Sequence, residues 1–158
     1  MQQAAERGHW PIIEYLISLN SRQRGFFFDQ REACLTAAAR GHVSVVLRLT
    51  SRLYASDGSV GYDTGDLFFR AIDAAAEAGR CEVLSALIDG MNVVKYFDPD
   101  HGIYRGQCQP LIFAATGRHV PAVEYLIKKG FRMDEVDEEG NTPLLMAAMH
   151  GHANVVRC

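Results

Sequence analysis

Residues 130–158 read GFRMDEVDEEGNTPLLMAAMHGHANVVRC, and the reading of this stretch decides the fold. Thr142 precedes Pro143, the order expected at a helix start. A threonine hydroxyl can accept one of the orphan backbone N–H groups of the first turn. Proline at the first helical position lacks a donor that would go unpaired there anyway. Ala147 and Ala148 keep the helix thin, so that an adjacent helix can approach closely. Gly151 suits the left-handed backbone that ends a helix, having no Cβ to clash. Val155 and Val156 then open the apolar face of a second helix. Just upstream, Ala122, Val123, Tyr125, Leu126 and Ile127 fill an equivalent face, which Gly130 closes.

The same arrangement recurs along the chain. AAERGHWPIIEYLI (4–17), TAAARGHVSVVLRL (36–49), DAAAEAGRCEVLSALI (73–88), FAATGRHVPAVEYLI (113–127) and MAAMHGHANVVRC (146–158) align on their turns. The residue after each turn is His9, His42, Arg80, His119 and His152, spaced by 33, 38, 39 and 33 residues. HWPIIEYLI and HVPAVEYLI, far apart in the chain, are hard to obtain by chance. Four histidines at one recurring position read as structural parts rather than catalytic ones.

A period near 33 residues with insertions is similar to that of the ankyrin repeat family. Residues 130–158 resemble its repeat almost position for position, including the TPL at 142–144 and the glycines bounding the hairpin loop. The resemblance implies an all-α solenoid of stacked helix-turn-helix units joined by irregular or hairpin loops. It implies a single array over 1–158 of about five units, 1–24 (partial), 25–62, 63–100, 101–135 and 136–158 (partial). Repeat arrays need polar end units for solubility, and Val155 and Val156 would face an absent neighbour. The chain is therefore expected to be an excerpt from a longer protein.

Several positions depart from that pattern. Asp29 with Glu32 three residues on reads as a capping box, starting the second unit's first helix about a turn early. Asp66 is expected to cap the extended first helix of the third unit. Leu145 stands where the family places histidine, so apolar contact is expected to replace the usual inter-repeat hydrogen bonds. Arg118 occupies a turn position that is glycine in the other four units. A non-glycine residue there costs about 1 kcal/mol unless the turn shifts onto Gly117.

In ankyrin arrays the hairpin tips and the outward positions of the first helices usually meet the partner. On this sequence the helix positions are Glu6, Arg7, Ala39, Arg40, Glu77, Ala78, Thr116, Met149 and His150, and the hairpin positions are Val136, Glu138, Glu139 and Asn141. The strip mixing Arg7 and Arg40 with Glu6 and Glu77 suits a partner of mixed charge, and the acidic tip from Asp134 to Glu139 suits a basic one. Half of such positions would serve equally as a solvated face. Three longer connections, 20–28, 51–65 and 90–108, are expected as loops. Phe26, Phe27 and Phe28 lie in the first, where they either anchor a partner or cover the edge of the solenoid. Tyr96, Phe97 and Tyr104 lie in the last.

Composition excludes other classes. The 158 residues are 48% apolar and 22% charged with a formal charge of -3, which gives no basic footprint for nucleic acid. Lys128-Lys129 and the short Arg22/Arg24 cluster are no membrane anchor. No apolar run approaches the roughly 18 residues of a membrane helix, and no apolar signal region opens the chain. Cys34, Cys81, Cys108 and Cys158 are scattered without a CxxC pair, which fits a reduced intracellular compartment, cytoplasm or nucleus.

No catalytic or cofactor-binding constellation stands out. His150, His152 and Cys158 match no common zinc spacing. Asp98-Pro99-Asp100-His101-Gly102 begins like a calcium loop but lacks the downstream bidentate glutamate. Cys81 opens a helix, where a thiol can be activated, though a small buried residue explains it as well. There is no phosphate loop and no GxSxG elbow. The expectation is a non-enzyme with no cofactor and no metal, binding a protein partner as a monomer or in weak end-to-end association. The alternatives are a substrate-recruiting or regulatory segment of a larger enzyme or signalling protein, and a plain spacer.

Overall fold

A computed structural model describes residues 1–22, 30–55, 62–90 and 109–158. Among the described residues there are helices and turns and no strand. The helices come in pairs across each turn: α1 (Gln2–Glu6) with α2 (Trp10–Arg22), α3 (Gln30–Arg40) with α4 (Val43–Ala55), and α5 (Tyr62–Glu77) with α6 (Cys81–Gly90). The last two pairs are α7 (Pro110–Thr116) with α8 (Val120–Lys128), and α9 (Pro143–Met149) with α10 (Ala153–Val156). No described helix is long and apolar enough to cross a membrane.

Each pair packs on its neighbours in the chain. The first helices form one layer in the order α1, α3, α5, α7, α9, and the second helices form another, with α4 on α6, α6 on α8 and α8 on α10. This is the quasi-one-dimensional packing of a repeat solenoid, in which a unit hides its apolar side only against adjacent units.

The small residues do what the sequence requires of them. Ala37, Ala38, Ala75, Ala76, Ala114 and Ala115 are buried at the centre of the first layer, where larger side chains would hold the helices apart. Val45, Val46 and Leu49 of α4, Val83, Leu84, Leu87 and Ile88 of α6, and Ala122 and Leu126 of α8 close the core from the second layer. Thr142 caps α9 as expected, its Oγ1 accepting from the Leu145 backbone N–H at 3.2 Å, with Pro143 in the first turn.

Three expectations need correction. The connection expected over 51–65 is largely helical, since α4 continues to Ala55 and α5 already starts at Tyr62. Asp66 therefore lies within α5 rather than at its cap. Asp63 and Asp66 fall in its opening turns, so the polar composition that suggested a loop is that of a helix start. The third correction concerns Leu145. It is 45% exposed, and the inter-unit hydrogen bonds it was expected to replace run from other residues, described below. In the first connection α2 extends to Arg22 and α3 starts at Gln30. Asp29, Phe26, Phe27 and Phe28, and likewise Tyr96, Phe97, Tyr104, Cys108 and the 98–102 stretch, lie outside the described residues.

The anomalous turn keeps its register. Arg118 adopts the left-handed conformation, with φ 62°, while Gly117 stays right-handed at φ -76°. The reason is space. A Cβ on Gly117 would sit 2.7 Å from the Glu77 carbonyl oxygen and against the His119 ring. The unit uses its glycine for that close approach, and Arg118 takes up the strain.

Candidate functional site

The residue after each turn reaches back to the preceding helix pair. His42 Nε2 lies 2.7 Å from the Glu6 carbonyl oxygen, Arg80 Nε donates to the Ala39 carbonyl at 2.9 Å, His119 Nε2 lies 2.9 Å from the Glu77 carbonyl, and His152 Nε2 lies 2.9 Å from that of Thr116. A carbonyl oxygen can only accept, so each of these histidines carries its proton on Nε2. The acceptors end the first helices, where backbone carbonyls have no partner in their own helix. One unit thus completes the helix end of the unit before it. The packing is close enough that a Cβ on Gly8 would stand 2.7 Å from His42 Nδ1. Arg80 can replace histidine because its Nε–H offers the same single donor.

This ladder fixes the candidate partner positions as a row. Glu6, Ala39, Glu77 and Thr116 supply its carbonyls, so their side chains, and those of Arg7, Arg40 and Ala78 beside them, recur once per unit at anchored helix ends. Met149 and His150 hold the same place in the last unit. Glu6, Arg7, Arg40, Glu77, Met149 and His150 are exposed, whereas Ala39, Ala78 and Thr116 are half-buried. The charges along the row are partly engaged with each other: Arg40 Nη2 donates to Glu6 Oε1 at 3.1 Å, across two units. Thr116 turns its hydroxyl onto the Ile112 carbonyl at 2.9 Å, within its own helix.

The hairpin tip is organised from inside. Asp137 Oδ1 accepts from the backbone N–H groups of Glu139 at 3.0 Å and Asn141 at 2.7 Å, and Oδ2 accepts from Asn141 Nδ2 at 3.1 Å. These bonds, those from Asn141 foremost, hold the Asp137 carboxyl below the usual carboxylate range. Asn141 is therefore occupied in holding the turn, while Glu138 and Glu139 project outward. Arg132 forks onto Asp134 with bonds of 3.0 and 2.9 Å, holding that carboxyl low and offsetting part of the acidity of the tip. Burial pushes Glu135 in the opposite direction. Val136 is exposed in its side chain, but its carbonyl accepts from Gln109 Nε2 at 3.0 Å.

Two participants were not singled out from the sequence. Asp137 was legible, since an aspartate followed by Gly140 and Asn141 suits a side-chain-stabilised turn. Gln109, whose backbone N–H donates to Asp73 Oδ1 at 3.0 Å while its amide reaches Val136, gave no local signal. On the second-helix layer, Asp89 accepts from Tyr125 Oη at 3.2 Å and pairs with Lys129. The bond from Lys129 is the main reason that the Asp89 carboxyl lies below its ordinary range.

His150 and His152 have ring centroids 5.8 Å apart. His152 Nε2 is committed to Thr116, and His150 Nδ1 lies 2.9 Å from the Met146 carbonyl. Among the described residues no three His, Cys, Asp or Glu side chains converge as a metal site. Cys34 is buried, Cys81 half-buried and Cys158 exposed, and none of the three is in a disulfide.

Residues 111–158 match the family model described as ankyrin repeats (many copies). No curated protein matches the chain. Ankyrin repeats generally mediate protein–protein interaction and are generally non-catalytic. The matched segment takes in α7 to α10, and the ladder that joins those helices continues back to α1, with Arg80 in place of a histidine at one rung. Residues 111–158 thus carry ankyrin repeats, and the described residues as a whole form an all-α array of stacked helix pairs.

Proposed function

We propose that this chain is a non-catalytic interaction scaffold that holds one protein partner along the row of first-helix ends and over the hairpin tip. The row comprises Arg7, Arg40, Glu77, Thr116, Met149 and His150, and the tip contributes Val136, Glu138 and Glu139, with Asn141 shaping it. The ladder is the observation that carries this reading. The helix ends at Glu6, Ala39, Glu77 and Thr116 are each anchored by a hydrogen bond from the next unit, so the side chains along that part of the row are spaced before any partner arrives. A surface ordered in advance loses little freedom on binding. Alternating charge with an exposed Met149 suits a partner segment that carries both charges and an apolar residue, and Glu138 with Glu139 suits a basic flank. The Arg40–Glu6 pair is no obstacle, because an exposed ion pair is worth at most about 1 kcal/mol and can be exchanged for a partner's group. Unbridged thiols at Cys34, Cys81 and Cys158 favour work in a reduced compartment, cytoplasm or nucleus.

Reversing Arg7, Arg40 and Glu77 together (Arg7→Glu, Arg40→Glu, Glu77→Arg) tests the reading by affinity capture beside the parent. The captured set is expected to lose its main component while thermal unfolding stays close to that of the parent. An identical captured set would make the chain a spacer.

A further inference from the structure

The junction between the α3–α4 and α5–α6 pairs is the rung of the ladder built on an arginine, and it leaves space that the neighbouring rungs fill. At those rungs a histidine ring stands against the glycine of the preceding turn. A Cβ on Gly8 would be 2.7 Å from His42 Nδ1, and one on Gly79 would collide with the His119 ring. At the arginine rung the aliphatic stem of Arg80 passes Gly41, its Cδ 3.3 Å from a Cβ built there. An open notch of about 420 Å³ remains between the two turns, lined by Arg40, Gly41, Gly79, Arg80, Cys81 and Glu82. The notch belongs to two interior pairs, each with a neighbour on both sides.

We infer that an acidic side chain of the protein partner, a carboxylate or a phosphate, seats in this notch on the outer nitrogens of Arg80, with Arg40 beside it. The inference rests on the partner reading above and says where the negative group of that partner goes.

Arg80 spends only its Nε on the ladder, donating to the Ala39 carbonyl at 2.9 Å. Its two Nη groups make no hydrogen bond or ion pair among the described residues, and the side chain is exposed. A guanidinium held through Nε keeps its plane, and its remaining Nη donors match the paired oxygens of a carboxylate or phosphate. The anchoring bond also reduces the side-chain freedom still to be lost on binding. A neutral histidine at this rung, its one N–H given to the carbonyl, has nothing further to donate.

Arg40 supplies the second cation. Its bond to Glu6 joins side chains that are 58% and 41% exposed, a pair weak enough to be exchanged for a partner's group. Glu82 is the only acid among the lining residues, so cations outnumber acids two to one there. Arg118 follows at the next turn, exposed and held in the left-handed conformation. The edge formed by the turns therefore carries an arginine in three successive pairs. The overall charge of -3 favours a protein segment over nucleic acid as the source of the negative group.

NMR titration of the isotope-labelled 158-residue chain tests the inference. The probes are three short capped peptides, identical except for one residue that is glutamate, phosphoserine or glutamine. The glutamate or the phosphoserine peptide is expected to move the Arg80 Nε–H signal and the backbone amides of Gly41 and of residues 79–82 saturably. The tighter of the two identifies the group the notch takes, and the glutamine peptide is expected to leave these signals in place. Arg80→His keeps a ladder donor, so it is expected to stay folded, as circular dichroism would check, and to lose the response at the amides. Arg40→Gln, at an exposed site outside the ladder, is expected to weaken binding several-fold. No saturable response to either acidic peptide, an equal response to the glutamine peptide, or an undiminished response in Arg80→His would each overturn it. Failure of the partner reading looks different, since it leaves the captured set unchanged on reversal of Arg7, Arg40 and Glu77 whatever the peptides do.

Discussion

His42 Nε2 lies 2.7 Å from the backbone oxygen of Glu6, a residue one helix pair earlier. His9 occupies the same place after its own turn and makes no such bond among the described residues. The two histidines therefore separate the ladder bond from everything else a histidine does at a turn. His42→Ala is expected to destabilise the chain by about 1 kcal/mol, the usual net worth of a hydrogen bond in a folded protein. His9→Ala is expected to change the stability of this 158-residue chain by a small fraction of that. Urea unfolding of both variants beside the parent checks the contrast, and equal losses would show that the ladder bond contributes nothing of its own.

Gly41 has φ 88°, and a Cβ there would lie 3.3 Å from the Arg80 side chain. Gly41→Val is expected to cost a few kcal/mol (roughly 2–4), since a β-branched residue resists this backbone region. Arg118→Gly should act in the opposite direction, raising stability by about 1 kcal/mol through relief of a left-handed non-glycine residue. Thermal unfolding measures both, and the opposite signs make a shared artefact easy to recognise.

The Cys34 thiol is buried, and burial pushes its pKa from 9.0 up to about 12. The folded value lies above the unfolded one, so the stabilisation from the neutral thiol is complete below pH 9 and is lost as pH rises from there toward 12. The unfolding midpoint of the parent is expected to fall faster through that window than that of Cys34→Val. At neutral pH, alkylation followed by mass spectrometry should label the exposed Cys158 in the folded chain and Cys34 only after unfolding.

At the hairpin tip the sign reverses. The Asp137 carboxyl is depressed by its bonds from Asn141, so the order it gives the tip is present above the ordinary carboxylate pKa of about 4 and is lost as pH falls through the lower folded value. Amide exchange at Glu139 and Asn141, referenced to intrinsic rates, is expected to lose protection in that acidic range. Asp137→Asn should remove the dependence, and an unchanged profile in the variant would assign it to another group.

The fold was legible because the recurring elements are local. A proline behind a threonine, a pair of alanines, a turn and a ladder residue all fall within about a dozen positions of each other. The helix starts of α5 and the end of α4 were not, since Asp63, Thr64 and Gly65 carry the same composition whether they open a helix or a loop. The row of candidate contacts was legible as positions and illegible as chemistry. Nothing local to Arg40 says that it pairs with Glu6, 34 residues earlier, and nothing local to Asn141 separates a turn-holding amide from an outward one. Those distinctions depend on how far one unit is offset from the next, a quantity set by packing across the junctions.

Because substantial contacts among the described residues join only neighbouring helices, a pull applied along the row of units would load the junctions in series, each carrying the whole force. Under such a load the least well-seated junction would be the first to yield.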